Sequence, residues 1–487
     1  MPDYLPSILT LEHFGVWSLL PPVGALGLAL WKKQIYPALL FGVWLGWLVM
    51  NEWNPISATG ATVASIVNVF SDAGNTRVLL YSLAVGGTLT LISATGGVAG
   101  FVNWLEERRW VGNRTQAQLV PFLLGLLITV ESSITCLVAG TVGRPLTDRF
   151  KVSREKLAYI CDSTSAPICI LIPFNGWGAF IIGLLSVQGI ESPVAVLFQS
   201  ILVNFYPMAA IAIVLFTILR KWNIGSMRNA EMRAHKEGKV YGDNAHPMIA
   251  DDVVEVKPIA GIKHRAVNLI APVVTMVLSI VVGIFLTGRI SAGPDAGLWD
   301  IIKASSGSTA VLWAVIMSLL IIATLNLFRG LSLNQFIDLI FKGMGGMIPV
   351  VSLLLLAFAL GGVVRELGTG VYVAGVISGV LNTKMAVIGL FLISCFVAFS
   401  TGTSWGTFAV MVPIAVPMAA ALDGSTPMFL AAVLGGGVFG DHCSPISDTT
   451  IISSMASASD HIDHVRTQIP YAMVGAGITL ILYFVLA

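Results

Sequence analysis

Two aspartates, a histidine and four hydroxyl residues crowd into one stretch, Gly440-Asp441-His442-Cys443-Ser444-Pro445-Ile446-Ser447-Asp448-Thr449-Thr450. Apolar residues flank it, Met428 to Phe439 before and Ile451 to Met455 after, which sets the polar cluster inside a membrane-crossing segment. Ionisable groups at that depth are costly and are kept for an ion path or a substrate site. Pro445 and the glycines interrupt a helix, and the break frees carbonyl and amide groups that can coordinate an ion. A hard monovalent cation such as Na⁺ takes oxygen ligands, and this stretch supplies carboxylates, hydroxyls and freed carbonyls.

A second stretch repeats the pattern: Asp162-Ser163-Thr164-Ser165-Ala166-Pro167-Ile168 also sets an acid, hydroxyls and a proline in that order. Each stretch follows an apolar run with a polar centre, Glu131-Ser132-Ser133 in the first case and Ser400-Thr401-Gly402-Thr403-Ser404 in the second. Two oxygen-rich sets are therefore expected to converge. One joins Glu131, Ser132 and Ser133 to Asp162, Ser163, Thr164 and Ser165; the other joins Ser400, Thr401, Thr403 and Ser404 to Asp441, Ser444, Ser447 and Asp448. Burial raises a carboxylate's pKa and a bound cation lowers it, so a buried aspartate can hold either H⁺ or Na⁺, and that competition can couple the two. His442 is either a proton acceptor near neutral pH or a group bonded to a helix end. Asn175 and Trp177, after Pro173, either line a substrate cavity or serve packing.

The elements that must position these residues follow from composition. The chain has 487 residues, 56% hydrophobic and 11% charged, against roughly 25% charged in a soluble domain. An all-α polytopic membrane protein is expected, with the lipid bilayer as its partner and no nucleic acid. The five cysteines show no paired metal-binding spacing and are expected to be free thiols. Gly435-Gly436-Gly437-Val438-Phe439-Gly440 matches the dinucleotide fingerprint in form only; it follows no strand, and close helix packing accounts for it. With no phosphate loop, metalloprotease pair or nucleophile–base set, neither enzyme activity nor a cofactor is expected. The first 15 residues lack a basic start and a small-residue cleavage site, so no cleaved signal peptide is expected there.

Spanning runs lie near 14–31, 34–50, 77–99, 192–219, 266–287, 307–328, 343–364 and 468–487, with broken runs at 157–185 and 427–457. Lysine and arginine mark the cytoplasmic side. They place 220–265, 145–156 and 103–116 there, so 119–144 between two of those segments must turn back as a re-entrant hairpin. Its arms, 119–130 and 134–144, are each about half a bilayer long. The same logic gives a hairpin at 385–421. Only Arg77, Arg289, Lys303, Arg365 and Lys384 then fall outside. The expectation is ten spans, two hairpins and both termini outside: an inverted-topology repeat of about five spans plus one re-entrant hairpin in each half, with broken helices. Residues 1–219 form the first repeat, 220–265 a solvated cytoplasmic linker and 266–487 the second repeat.

The stretch from Gly440 to Thr450 resembles the signature of the NhaC family of Na⁺/H⁺ antiporters, and Asp162 to Pro167 with Ile172-Pro173 resembles that family's first-half signature. The resemblance spans essentially the whole chain. It implies a multi-pass protein of the bacterial inner membrane, with scaffold and transport domains and often a homodimer. It also implies Na⁺ use, held here by Asp441, Asp448 and Thr401 with hydroxyls of the second hairpin, while protons compete there or at Asp162 and Glu131. Similar sequences move organic acids or amino acids with sodium, so Na⁺-coupled transport of a small organic solute is the alternative to Na⁺/H⁺ antiport. The first hairpin tip, Glu131-Ser132-Ser133, departs from the second, so the two halves need not hold equivalent Na⁺ sites. Ser133, Ser163 and Ser165 complete the candidate coupling set.

Overall fold

The structure is a computed structural model describing residues 14–487 apart from 33, 98–99, 102–103, 105–110, 128, 130–131, 174, 244, 248–258, 260–262, 294, 370–371 and 373–381. Every regular element among the described residues is a helix. In a bilayer a helix satisfies its own backbone polar groups, which loops and open sheets cannot do.

Each half contains a helical hairpin followed by a broken helix, with helices before and after them. The first has Leu20–Lys32, Ile35–Met50 and Ala73–Ala94, a hairpin of Arg114–Leu127 and Ser132–Arg149, a broken helix in pieces Arg154–Ser163, Ala166–Leu171 and Gly176–Val187, and closing helices Pro193–Leu202 and Phe205–Arg220. The second has Val267–Ala292, Gly307–Asn326 and Ile348–Glu366, a hairpin of Thr383–Thr401 and Ser404–Ala421, a broken helix in pieces Thr426–Cys443 and Asp448–Ser457, and the closing helix His461–Leu486.

Several expectations on length change. Among the described residues eight helices are long and apolar enough to cross a membrane, or nine if the bent pair Arg154–Leu171 and Gly176–Val187 is one span, where ten spans were expected. The first two helices have only 13 and 16 residues, short of the ~20 that cross a bilayer upright. The arms of the second hairpin, at 19 and 18 residues, are each among the eight. The arms of the first have 14 and 18 residues, because polar ends such as Arg114 to Gln116 and Arg144 to Arg149 continue the helices past the apolar stretch. Two further helices, Pro55–Asn68 and Leu333–Gly346, were not anticipated. They start on good caps: Asn54 accepts from Ile56 and Ser57 N–H, and Ser332 with Gln335 forms a capping box. Their apolar residues recur with helical period instead of running on, so a search for long apolar runs passes over them.

The segment 220–265 is corrected in part. Its helix Gly225–Glu237 does not float in solvent but docks on the bundle, burying Met227, Ala230 and Ala234 at helical spacing. Arg233 pairs with buried Glu155 at 2.7 Å, and Arg114 with Glu231 at 2.9 Å. Glu231 also accepts the Ser153 N–H at 2.8 Å. Farther along, Asp460 takes N–H groups from His246, Ile462 and Asp463. Burial alone would raise the Asp460 pKa, but these three donors bring it below the ordinary carboxylate value.

The glycine run serves close packing, as expected. A Cβ at Gly440 would lie 2.5 Å from Ala398 Cβ, Cys395 O and Phe399 N, and one at Gly436 would lie 2.5 Å from Phe391 O. Helix Thr426–Cys443 therefore lies backbone to backbone along the first arm of the second hairpin, a contact only small residues allow. All five cysteines are buried thiols outside any disulfide. The terminal piece of each broken helix packs against the hairpin of the other half: Asp448–Ser457 on Ser132–Arg149, and Gly176–Val187 on Ser404–Ala421. That exchange is what brings the two acidic stretches together.

Candidate ion site at the helix breaks

The second break forms where Pro445 removes a donor and Ser444 leaves the helical conformation; the chain resumes helix at Asp448, behind Ser447. An acid in that first turn suits the positive end of the helix dipole. Gly402, at φ +67°, turns the hairpin tip in the left-handed region, and a Cβ there would sit 2.7 Å from Ile446 O. The tip of the second hairpin thus rests directly on the break, which sets Ser404 opposite Asp441.

Asp441 is 2% exposed. Its Oδ2 accepts the Ser404 hydroxyl at 2.8 Å and its Oδ1 accepts the Ser447 hydroxyl at 2.6 Å. Hydrogen bonds to an ionised acceptor are short and strong, which offsets part of the cost of burying the charge. Ser447 Oγ lies 3.1 Å from Thr449 Oγ1, adding another oxygen beside the carboxylate.

Asp162 is fully buried at the first break, and its partners come from the other half of the chain. Its Oδ2 accepts from Gln468 Nε2 at 2.7 Å and from Thr450 Oγ1 at 3.3 Å, with His464 Nε2 at 3.8 Å. Its Oδ1 has no hydrogen-bond partner. Thr450 Oγ1 also lies 3.4 Å from the main-chain O of Asp441, so its single O–H stands between the Asp162 carboxylate and the backbone at Asp441. A buried carboxylate oxygen without a donor is expensive, and it fits a site that completes its shell with a proton or a cation.

The other expected residues fall as follows. Ser163 bonds His442 Nε2 at 2.7 Å, and Tyr206 OH bonds His442 Nδ1 at 2.8 Å, so His442 is held at both ring nitrogens. Ser165 donates to Asp162 O, Thr164 to Ile160 O, Thr401 to Val397 O and Ser444 to Phe399 O. These four hydroxyls turn to backbone carbonyls, a habit of Ser and Thr in and beside helices. Thr403 caps the second arm through Gly406 N–H at 3.4 Å. Asp448 stands exposed at the start of its helix, its Oδ1 accepting the Thr449 N–H, in contrast to buried Asp441. Ser133 is half-buried at the start of Ser132–Arg149, and Glu131 lies outside the described residues. Within the first oxygen set, Asp162 draws on Thr450 and Gln468, and the hydroxyls of Ser163, Thr164 and Ser165 bond elsewhere.

Asn175 is fully buried, and its amide serves the backbone. Nδ2 donates to Thr129 O, Cys169 O and Ile172 O, and Oδ1 caps Gly176–Val187 through Trp177 and Gly178 N–H. Trp177 packs on Trp405 and Phe408, with ring centroids 5.3 and 5.9 Å away. Trp177 thus holds the first broken helix against the second hairpin, while Asn175 ties the break to Thr129 at the first hairpin and caps the helix that follows.

The sequence search missed Gln468, His464 and Tyr206. Gln468 donates to His442 O as well as to Asp162, and accepts from His464 Nε2 at 2.8 Å. The signal was present: His464 and Gln468, four apart, share one face at the mouth of an apolar run.

A helical chain with two hairpins and two broken helices, closed around a pair of buried acids, has the construction of a multi-pass membrane transporter. Its fold is similar to that of the solved YdaH transporter of Alcanivorax borkumensis, with a TM-score of 0.54 and 13% identity over 88% of each chain. The chain belongs to the Na⁺/H⁺ antiporter family, whose model matches residues 177–487. It is 33% identical to an uncharacterized protein of Haemophilus influenzae over 99% of this chain and 92% of that one. Shorter segments match two named antiporters. The arginine/ornithine antiporter ArcD of Halobacterium salinarum is 38% identical over 20% of each chain. The malate-2H⁺/Na⁺-lactate antiporter of Bacillus subtilis is 30% identical over 22% of each.

Proposed function

We propose that this transporter exchanges Na⁺ for H⁺ at the paired acids. The observation that carries the reading is the geometry of the acids: Asp441 is buried with two hydroxyls on its carboxylate, and Asp162, which shares the Thr450 hydroxyl with the backbone at Asp441, keeps one oxygen free. A hydroxyl carries one proton and two lone pairs. When Na⁺ arrives, Ser404 and Ser447 can rotate their protons away and present lone pairs, so the carboxylate and both hydroxyls become an oxygen cage. A proton on the acid removes the charge that holds the cation, and each ion therefore expels the other. The recurrent element order supports an inverted repeat whose hairpins and broken helices move against the remaining spans for alternating access. The basic segment 220–265 supports a cytoplasmic position for the docked linker, in a bacterial inner membrane.

The test is proton release. Purified protein in weak buffer should acidify the medium on addition of NaCl but not of choline chloride. An equal response to both salts, or none, overturns the reading.

One observation favours organic solute as a second cargo. A cavity of about 630 Å³ opens at the end of Gly176–Val187 away from the linker, lined by Arg365, Glu366, Asp72 and Asn75 over Trp47 and Phe358. That volume lies within the roughly 300–1,000 Å³ usual for small-molecule sites.

A further inference from the structure

Between the first arm of the first hairpin and the first span of the second half runs a groove lined only by apolar and aromatic side chains. Arg114–Leu127 packs mainly on its own hairpin partner, and Val267–Ala292 mainly on Gly307–Asn326. The space left between them is a cavity of about 380 Å³. Its floor is buried Phe101, Leu124 and Leu269, and its rims, Leu127 and Val274, are exposed, so it opens sideways toward the bilayer. The wall from Val120 to Leu127 is about 10 Å long at 1.5 Å per residue.

A basic segment stands at one end of that groove. Lys263, His264 and Arg265 are exposed just before the span begins at Val267, and Arg265 precedes Leu269 of the floor by four residues. Glycines pin the segment in place: a Cβ at Gly96 would lie 2.5 Å from His264 Cδ2, and one at Gly100 would lie 2.5 Å from Arg265 Cα. Gly100 adjoins Phe101, so the basic segment sits directly beside the floor. Neither Lys263 nor Arg265 pairs with a carboxylate among the described residues.

We infer that groove and basic segment together form a site for one anionic phospholipid, with an acyl chain in the groove and the phosphate on Lys263 and Arg265. Lipid tails are as apolar as leucine, so the groove by itself selects nothing from the bilayer. The unpaired cations supply the selection. Lysine and arginine near the membrane surface favour anionic headgroups, and a guanidinium can hold a phosphate through two parallel N–H bonds. The two parts also match in place: the phosphate of a lipid stands at the membrane surface, where the span begins, and its tail runs inward along the same helix. A seated tail fills the space that separates the hairpin arm from the span. The site lies apart from the paired acids, and its test reads lipid binding without any ion flux.

The experiment is native mass spectrometry of the full-length protein in detergent, titrated with phosphatidylglycerol or with phosphatidylcholine of the same acyl chains. Wild type should retain one phosphatidylglycerol and bind phosphatidylcholine about tenfold or more weakly. Lys263→Gln with Arg265→Gln should lose that preference, and both side chains are exposed, so the fold is not at stake. Val274→Trp, which narrows the groove at its rim, should weaken retention of phosphatidylglycerol. The melting temperature of wild type should rise with phosphatidylglycerol and not with phosphatidylcholine, because a ligand of the folded state stabilises it. Equal retention of the two lipids by wild type overturns the site. So does an equal loss of preference from Arg228→Gln with Lys236→Gln on the docked linker helix, which would make the effect one of general charge. Unchanged retention in Val274→Trp removes the tail from the groove, and a dimer that excludes both lipids gives the groove to a second copy of the chain.

Discussion

Asp441→Asn is expected to abolish Na⁺-driven transport while the protein stays folded in the membrane. The change keeps the side-chain volume and the contacts at the break. The amide oxygen can accept one of the two serine hydroxyls, and the NH₂ can donate to the other, because a hydroxyl also accepts. What disappears is the formal negative charge at the centre of the oxygen cage. Na⁺ affinity should fall at least about a hundredfold, or ~2.7 kcal/mol, while a normal size-exclusion profile and melting temperature show an intact fold. A Na⁺ titration on the purified variant checks this. Wild-type affinity would remove Asp441 from the site.

Asp162→Asn should move stability and activity in opposite directions. The native carboxylate is fully buried, with two donors on Oδ2 and none on Oδ1, so much of the cost of its charge is uncompensated. Neutralising it relieves that cost, and the melting temperature should hold or rise. Transport should nevertheless fall about a hundredfold or more, since an amide cannot take up and give back the proton that Na⁺ displaces from the paired acids. Strained or uncompensated groups retained against stability mark functional sites. If Asp162 only braced the bundle, the variant would lose melting temperature and activity together. A thermal melt beside a flux assay on one preparation decides between the two.

The legible part of the molecule was its order of elements. Long apolar runs, the positions of lysine and arginine, and two proline-bearing acid stretches located the hairpins and broken helices, because the bilayer forces polar breaks to stand out from apolar sequence. Asp441 with Ser404 and Ser447 was readable for the same reason: all three lie in the second half, near the break that joins them. The partners of Asp162 were not. Thr450 and Gln468 lie 288 and 306 residues away; Thr450 reaches it because Asp448–Ser457 crosses to the first hairpin, and Gln468 because the closing helix His461–Leu486 packs on Arg154–Ser163. Nothing in local spacing encodes that crossing. Which hydroxyls turn to a carboxylate was equally hidden: Thr401 and Ser444 have the right chemistry, but their hydroxyls turn to nearby carbonyls. The docked linker helix was missed because its many charges hid Met227, Ala230 and Ala234 on one face.

The central claim is that Na⁺ and H⁺ exchange at linked acids, and liposomes test it most directly. Purified protein is reconstituted with a pH dye inside, the membrane potential is clamped, and Na⁺ is added outside with no organic solute present. The expected result is alkalinisation of the interior by proton efflux, saturating with Na⁺ and absent with Asp441→Asn. No proton movement on Na⁺ addition, together with accumulation of a labelled amino or organic acid down the Na⁺ gradient, would contradict the claim and make the same oxygen cage the coupling site of a solute symporter.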